Sequence, residues 1–551
     1  MRKLILSIAL LSIMASNTSA QLMDGKKSFS RKDSLRGTLY KERSSYDVKH
    51  YLLDIKIDID KKFIEGSNVI SFHVLNDFQR LQFDLFSNMN VQKVIWNNKK
   101  LKISREHNAV FVEFPEMLKA NTNQKITIEY NGNPIVAKRA PWDGGFVFKK
   151  DKNGKDWVGV ACQGTGASLW WPNKDHQSDE PDSMRINITC KSGLQEISNG
   201  RLLRKTELKN GNTKWEWNVS YPINNYDVSV NIGDYVLWSD TYTSKIIDET
   251  LDLDYYVLRG NEEKSKKQFA QVKPMLDVFE KRFSPYPFYK DGFKLVETPY
   301  LGMEHQSCIA YGNGYKNGYM GFDLSGSGEG LKFDYIIIHE AAHEWWGNSL
   351  TSYDIADMWI HEGFGQYSEC VYLEELHGKE SAMKYMLGLR KGIENKEPVI
   401  GPYGVNEEGS GDMYPKGSQF LHTLRSVINN DELWWSIVYG LQNDYRHQNI
   451  STEDVLKYMN KKSKMNLNPI FEQYLKHPQI PTLDYSMVQN GNNLTLTYKW
   501  KVDVANFDMP IDIYVNGEKR RLYPTTDTQS LLISNAKDSD IRIDKENFYI
   551  N

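Results

Sequence analysis

The sequence predicts a multidomain α+β protein in which a mainly helical region lies between two β-rich regions. Three observations support this fold class. A chain of 551 residues is too long for one hydrophobic core, so about three domains are expected. Apolar residues alternate with polar ones as far as about residue 245, and near Asn261 they change to three- and four-residue spacing. Strand-like alternation returns after about residue 480.

Residues 1–20 have the pattern of a signal peptide. Arg2 and Lys3 precede an apolar run from Leu4 to Met14, and small or polar residues continue to Ala20. The run is too short to span a bilayer, which disfavours a membrane anchor. No Cys follows the cleavage site, which disfavours a bacterial lipid anchor. We therefore expect cleavage near Ala20, no stable membrane span, and an exported protein that is periplasmic or secreted.

Residues 21–44 are expected to form a polar arm, and residues 45–245 an N-terminal all-β domain. From Leu53 to Ile59 apolar residues alternate with charged ones, which is the period of a half-buried strand. Turn signals such as Asn131-Gly132 separate further strand-like runs. These runs are Ser67 to Val74, Leu81 to Leu85, Ala109 to Phe114, Lys125 to Tyr130, Met184 to Cys190 and Tyr226 to Ile232.

Residues 246–480 are expected to form a mainly helical domain, and residues 481–551 a small β module. Apolar residues from Phe269 to Phe283 follow helical spacing and predict one amphipathic helix, which Pro274 should kink. Ser451 has the sequence context of a helix N-cap. Further helices are expected at Gly363 to Leu376, Gln419 to Ile428 and Leu433 to Leu441, and strands of the small module at Leu494 to Trp500 and Ile511 to Val515.

The bulk composition indicates an ordinary globular protein. Charged residues make up 25% and aromatic residues 12% of the chain. The formal net charge of −3 gives no electrostatic reason to expect nucleic acid or an anionic membrane as a partner. The cysteines Cys162, Cys190, Cys308 and Cys370 show no metal-binding pair, and we expect mostly buried thiols or one bridge. The oligomeric state is not indicated.

The motif H-E-x-x-H at residues 339–343 is typical of zinc proteases. On a helix, residues four apart share one face, so His339 and His343 can bind one metal ion. Glu340, next to the first histidine, is placed to take a proton from the water that attacks the substrate. We expect the helix to begin near Asp334 and to end at Gly347.

A chance match to this short motif is the alternative, and a third metal ligand argues against it. Glu362 lies nineteen positions after His343. The longer pattern with a third histidine fails, because Trp346 and Ser349 stand where its Gly and His are required. A site of two histidines and one glutamate for a single Zn²⁺ is therefore the sharper prediction.

The sequence resembles the M1 family of zinc aminopeptidases, the gluzincin group that includes aminopeptidase N and leukotriene A4 hydrolase. The resemblance rests on residues 339–348, 359–364, 301–305 and 413–417, and on the N-terminal segments 46–54 and 225–228. It covers most of the mature chain. It implies a saddle-like N-terminal β domain, a thermolysin-like catalytic domain and C-terminal modules, in the order given above.

The resemblance also implies roles for residues that spacing alone does not assign. Glu304 occupies the glutamate of the family motif G-x-M-E-N, where a carboxylate pairs with the free α-ammonium of a peptide. Gly302 and Met303 precede it in that motif and are expected to contact substrate. Tyr414 matches the tyrosine that donates a hydrogen bond to the tetrahedral oxyanion. Gln163 resembles a substrate-binding glutamine of the β domain.

Glu369 and two histidines leave alternatives open. Glu369 lies seven residues after Glu362 on the same helix face, where it either orients a ligand histidine or is an ordinary surface acid. His305 replaces the Asn of the family motif, and His361 stands where an Asn usually precedes the zinc glutamate. Either histidine tunes the pocket or is a satisfied group behind it. The C-terminal residues are also too few for the large helical domain of many relatives.

These residues predict a zinc-dependent aminopeptidase that removes N-terminal residues from peptides with a free N-terminus. His339, His343 and Glu362 would hold the zinc, Glu340 would act as the base, and Tyr414 would stabilise the oxyanion. Two alternatives remain. One is an epoxide hydrolase-like activity of the same zinc site, and the other is a non-catalytic peptide-binding protein that keeps a relic site.

Overall fold

The computed structural model describes residues 28–551. The predicted signal peptide and the first residues of the predicted arm lie outside the described residues. The rest of the arm is folded, with short helices at Arg31–Gly37 and Lys41–Ser44.

A long mixed sheet forms the centre of the N-terminal β domain. Its strand Tyr46–Asp58 pairs antiparallel with Phe63–Val74 and parallel with Ser183–Lys191. Burial alternates along these strands, as expected for a sheet with one face on the core. The sheet order is Arg201–Glu207, Asn212–Val219, Ser183–Lys191, Tyr46–Asp58, Phe63–Val74, Asn123–Gly132, Met89–Trp96, Lys99–Lys100.

Two smaller sheets pack in the same domain. One has the order Gln195–Ile197, Asn231–Gly233, Asp156–Ala161, Gly145–Lys150, and the other Phe78–Asp84, Ala109–Leu118, Lys102–Glu106. The strand predictions up to Cys190 are confirmed, but a strand over Tyr226 to Ile232 is wrong. A 3-10 turn occupies Asn225–Asp227, and only Asn231–Gly233 is a strand. The side chain of Asn199 takes the place of a strand partner, because its Oδ1 accepts from the backbone N–H of Ser229 (2.8 Å) and its Nδ2 donates to the carbonyl of Asp227 (2.9 Å).

The next sheet carries part of the active site. Its order is Tyr235–Thr243, Thr250–Leu258, Phe293–Glu297, Ile309–Tyr311, Gly302–Met303. Because its first strand precedes residue 245, this sheet crosses the predicted domain boundary there. The boundaries themselves stay predictions. The strand Gly302–Met303 lies at the sheet edge, beside the helix that contains H-E-x-x-H.

Helices follow at the positions expected, but one predicted helix is divided. The segment predicted as one kinked helix is two helices, Glu262–Phe269 and Val272–Phe283. Pro274 lies in the first turn of the second, where a missing N–H costs nothing. Ser451 caps its helix with a capping box that includes Asp454. The further helices are Tyr335–Ala342, Trp359–His377, Lys379–Leu389, Pro415–Ile428, Asp431–Asp444, Thr452–Ser463 and Asn468–Phe471.

The C-terminal β module packs against the helical region. It consists of two small sheets, with Thr482–Asn490, Asn493–Lys501 and Gln529–Ser534 in one and Ile511–Val515, Glu518–Leu522 and Ile541–Ile543 in the other. Arg521 donates to the carbonyls of Val427 (2.9 Å) and Ser426 (2.6 Å) at the end of the helix Pro415–Ile428. A cation at a helix C-terminus satisfies carbonyls that lack an intrahelical partner.

Two expectations about the whole chain concern its cysteines and membrane spans. In the described part of the chain all four cysteines are buried free thiols, which confirms the first of the two alternatives expected for them. No helix within residues 28–551 is both long and apolar enough to cross a membrane.

Candidate active site

The first motif histidine, His339, lies on the helix Tyr335–Ala342, called here the HExxH helix, and His343 is its C-cap residue. The Asp334 carboxylate accepts a hydrogen bond from the backbone N–H of Ile336 (3.1 Å) and caps the helix N-terminus. The Nε2 atoms of His339 and His343 are 3.3 Å apart, as expected for one helix face. The helix ends at Ala342, earlier than predicted, and the chain turns before Gly347.

The helix Trp359–His377, called the glutamate helix, brings Glu362 to the histidines. One carboxylate oxygen of Glu362 lies 3.5 Å from His339 Nε2 and 3.4 Å from His343 Nε2. The two helices approach closely because position 365 is a glycine. A Cβ at Gly365 would lie 3.0 Å from Cε1 of His343. The three predicted ligands therefore converge, with donor atoms within 4.8 Å of one another.

Hydrogen bonds to the Nδ1 atoms orient both histidine rings. His339 Nδ1 is 2.7 Å from the carboxylate of Glu369, which also accepts a hydrogen bond from the hydroxyl of Tyr385 (2.6 Å). His343 Nδ1 donates to the carbonyl of Trp346 (2.9 Å). Glu369 is fully buried, so it is a partner of His339 and not a surface acid.

The chemistry of this cluster fits a zinc ion. With Nδ1 engaged on each ring, the Nε2 lone pairs are left to face Glu362. The Glu362 oxygen that faces both rings is buried and has no hydrogen-bond partner among the described residues. Burial disfavours a charge on His343, but Glu362 outweighs it and raises the pKa of His343 to about 9. A site that attracts protons onto its nitrogens so strongly is one where a cation can replace them, and two nitrogens with one carboxylate suit Zn²⁺.

Glu340 lies in the cleft beside these ligands. Its side chain is nearly buried, and burial raises its pKa above the usual value, while His339 and His343 oppose the shift. A Cβ at Gly302 would lie only 2.8 Å from Oε1 of Glu340. Gly302 thus provides the space that the carboxylate occupies.

Glu304 is held by contacts from distant parts of the chain. The side-chain amide of Gln163 and the hydroxyl of Tyr226 both donate to Oε1 of Glu304, the latter at 3.2 Å. The side chain of Asn348 donates to the Glu304 carbonyl at 2.8 Å. Burial raises the pKa of Glu304 to about 8, and the carboxylates of Glu362 and Glu340 add to the shift. An arriving ammonium group would reverse this shift by pairing with the carboxylate.

Tyr414 directly precedes the helix Pro415–Ile428, called the tyrosine helix. Its ring stacks on that of His339, with centroids 6.2 Å apart. Burial raises its pKa well above the usual value, and Glu362 adds to the effect, so the phenol keeps its proton. The tyrosine helix touches the glutamate helix at a glycine pair, because a Cβ at Gly417 would lie 2.9 Å from Cα of Gly363.

The predicted residues line one cleft of about 470 Å³ between the β domain and the helical domain. Trp142 and Glu408 lie on its wall as well. Glu369 lies behind the cleft, against His339. The predicted residues on the cleft wall are Gln163, Gly302, Met303, Glu304, His339, Glu340, His343, Glu362 and Tyr414.

His305 and His361 lie outside the cleft lining. His361 Nε2 accepts a hydrogen bond from the backbone N–H of Ser352 (2.8 Å), and burial lowers its pKa to about 3. His305 is fully buried, and burial lowers its pKa to about 3 as well. Both are therefore neutral side chains packed behind the site.

Sequence reasoning missed two residues that hold Glu304. Tyr226 and Asn348 both lie in segments that carry the family resemblance, but nothing in their spacing links them to residue 304. Their place in those segments was the one sequence signal that could have indicated a role at the site.

Two family models match the chain in the order that the fold suggests. The Peptidase M1 N-terminal domain matches residues 47–226, and the Peptidase family M1 domain matches residues 268–474, so that together they cover more than half of the chain. The chain belongs to peptidase family M1. The second matched segment contains the HExxH helix, Glu362 and Tyr414.

Relatives in this family share low sequence identity with the chain. Human endoplasmic reticulum aminopeptidase 1 is 25% identical over 355 residues, which are 62% of this chain and 36% of the relative. Probable aminopeptidase 1 of Sulfurisphaera tokodaii is 19% identical over 534 residues, which are 91% of this chain and 63% of the relative. The match thus spans less than two thirds of either relative's length.

Solved M1 structures share the fold of this chain. A substituted M1 zinc metallopeptidase of Deinococcus radiodurans, bound to a Tyr-Ser-Ala substrate, superposes with a TM-score of 0.68 at 18% identity. That alignment covers 80% of this chain and 96% of the other. Similarity at this level supports the same arrangement of β domain and helical domain.

Proposed function

We propose that this M1 family member is a zinc-dependent aminopeptidase that removes single residues from the N-terminus of peptides. The observation that carries the proposal is the position of Glu304. Glu304 lines the same cleft as the cluster of His339, His343 and Glu362. A carboxylate beside a metal centre recognises a free α-ammonium and so restricts cleavage to the first peptide bond. The relatives named as aminopeptidases support the same activity.

Each residue then has a chemical role. His339, His343 and Glu362 would hold the zinc, and a bound zinc ion supplies Lewis acidity that polarises the scissile carbonyl and activates water. Glu340 removes the proton of the attacking water and delivers it to the leaving amine. Glu304, with Gln163, positions the substrate by its N-terminus.

The oxyanion requires a donor that stays protonated. Tyr414 meets that requirement, because its pKa is raised and its ring lies against His339 at the metal cluster. The presence of both Tyr414 and Glu340 in the cleft argues against a relic binding site.

We also propose that the protein is exported and works in the periplasm or outside the cell. The support is the pattern of residues 1–20, a charged start followed by a short apolar run and small residues. The intact mass of the protein purified from its native host tests this proposal. Cleavage near Ala20 is expected, and a mature protein that keeps residues 1–20 would contradict it.

The activity is tested with aminoacyl chromogenic substrates and the purified protein. We expect hydrolysis that a chelator abolishes and that added Zn²⁺ restores. Hydrolysis that survives complete removal of metal would contradict the zinc mechanism. A zinc-loaded protein that cleaves no member of a broad panel of aminoacyl substrates would contradict the proposed class of reaction.

A further inference from the structure

We propose that the arm segment, residues 35–43, holds together the two walls of the cleft that receive the N-terminus of the substrate, with Arg36 as the positioning residue. This inference rests on the proposed function, because it concerns how substrate is held. The segment precedes residues 47–226, the part matched by the N-terminal family model. The arm segment therefore lies outside the region that matches this family model.

The arm segment is fixed to the β domain by buried contacts. Leu35 packs with Ala109 and Phe111 in a small apolar cluster. Arg43 is fully buried, donates from Nη2 to the carboxylate of Asp84 at 3.0 Å, and donates from Nη1 to the carbonyl of Arg36 at 2.6 Å. Nη2 of Arg43 also donates to the carbonyl of Asp175 at 2.9 Å, so the buried guanidinium joins the backbone at Arg36 to the β domain.

Arg36 contacts the loop that carries Gln163. Its Nη2 donates to the carbonyl of Gly164 at 3.2 Å and also to the carbonyl of Thr165. These two residues directly follow Gln163, whose amide donates to Glu304. A Cβ at Gly166 would overlap the Arg36 guanidinium, so a glycine is required there for the contact to form. Arg36 therefore fixes the backbone next to the residue that orients Glu304.

The same arm segment contacts the opposite wall. Thr38 Oγ1 donates to the carbonyl of Gly404 at 2.8 Å. Gly37 packs so closely on the backbone of residues 404–406 that a Cβ there would overlap it. This wall contributes Asn406 to the cleft lining, and the Asn406 amide also lies 3.4 Å from the carbonyl of Gly164. One short segment thus contacts a loop of the β domain and a loop of the helical domain.

This arrangement separates substrate holding from chemistry. The arm segment has no hydrogen bond or ion pair, among the described residues, to the predicted zinc ligands or to Glu340. If the Arg36 contacts are lost, Gln163 and Glu304 become less well positioned while the metal cluster keeps its geometry. Poorer positioning of a group that binds the ground state raises KM more than it lowers kcat.

The decisive comparison is Arg36→Gln against Arg31→Gln. Arg31 lies five residues earlier, and its exposed side chain contacts Glu106 and the ring of Tyr40, away from the cleft, so its variant is the control. In Arg36→Gln we expect KM for a free-amine substrate to rise roughly tenfold, the equivalent of one lost hydrogen bond, with kcat and zinc content within about twofold of wild type. An unchanged KM, or a loss of kcat and zinc at constant KM, would overturn the proposal.

Hydrogen exchange tests the role of the arm segment independently of the proposed activity. In Arg36→Gln, amides of residues 163–166 and 404–408 should exchange faster than in the wild type, and in Arg31→Gln they should not. This result is expected even if the wild type proves to cleave no peptide, which would refute the activity alone. Thr38→Val provides a second variant if Arg36→Gln does not fold, and it should loosen residues 404–408. Unchanged exchange in both segments would refute the role of the arm segment.

Discussion

Glu340 and the zinc ligands occupy one cleft but are expected to respond differently to substitution. Glu340 lines the cleft and is the proposed base, whereas His339, His343 and Glu362 form the metal cluster. Glu340→Gln should therefore retain stoichiometric zinc and lose activity by roughly 10³-fold, the scale of general base catalysis. Metal analysis and kcat measured on the same preparation check this prediction. A variant that keeps both zinc and full turnover would exclude Glu340 as the base.

Glu369 tests whether the partner behind His339 tunes the metal. It is fully buried and lies 2.7 Å from His339 Nδ1. Glu369→Gln should weaken zinc binding about 10- to 100-fold, which is the usual cost of losing a carboxylate that orients a ligand histidine. Competition with a metal-sensitive dye measures the affinity. Glu380→Gln, at an exposed ion pair with Lys384, is the control, and equal affinities in both variants would contradict the assignment.

Site residues that are close together in the sequence could be predicted better than those brought together by the fold. His339 and His343 are one helical turn apart, so helix geometry alone predicts that both bind one ion. Glu304 required the family resemblance, because no local rule connects residue 304 with residue 340. Tyr226, Asn348 and Arg36 were missed because their contacts join segments that are remote in the chain.

At the scale of elements, glycines set the distances between the helices of the site. Gly365 makes room for the His343 ring, and Gly417 meets Gly363 where the tyrosine and glutamate helices touch. These contacts place Tyr414 beside Glu362. The periodicity of the sequence predicts each helix but does not report how closely two helices approach, since that depends on paired positions in different elements.

Gly417→Val should force the tyrosine helix away from the glutamate helix. A Cβ at this position would lie 2.9 Å from Cα of Gly363, and overpacking of this kind costs about 1–3 kcal/mol. We expect a lower Tm and a lower kcat, since Tyr414 moves with its helix. Gly392→Ala, at a position where a Cβ meets nothing within 4 Å, is the control. If the two variants melt at the same temperature, the helix contact does not constrain the site.

The sequence predicts strands well where one face is buried, and poorly where side chains bond to the backbone in place of a neighbouring strand. The alternation from Leu53 to Ile59 gave the correct strand because the sheet buries every second residue. Tyr226 to Ile232 has similar composition but is mostly irregular, since the backbone of Asp227 and Ser229 bonds to the side chain of Asn199. The helix predicted over Phe269 to Phe283 divides before Val272, so that Pro274 falls in a first turn.

At the scale of the whole molecule, buried neutral histidines should make stability fall in acid. Burial lowers the pKa of His305 to about 3, below the value of 6.5 expected in the unfolded chain. The unfolded state therefore binds more protons below pH 6.5, so stability is highest above that pH and falls as the pH drops towards 3. Between these two pKa values one such group lowers the free energy of unfolding by about 1.4 kcal/mol per pH unit.

His305→Asn should flatten this dependence. The variant removes the titrating group and introduces the residue that the family motif usually carries. The difference in Tm between pH 7.5 and pH 5 should be smaller than in the wild type, whereas His107→Asn, at an exposed site with a left-handed backbone, should leave it unchanged. Equal pH dependence in His305→Asn and the wild type would show that another group controls acid stability.

The central claim is that one cleft combines a zinc centre with recognition of a free N-terminus. The most direct measurement compares a free-amine peptide with its N-acetylated twin as substrates of the zinc-loaded protein, with the products identified by mass spectrometry. We predict release of the first residue from the free peptide and no cleavage of the acetylated one, because acetylation removes the charge that Glu304 binds. Equal cleavage of both peptides, or cleavage at internal bonds, would contradict the account.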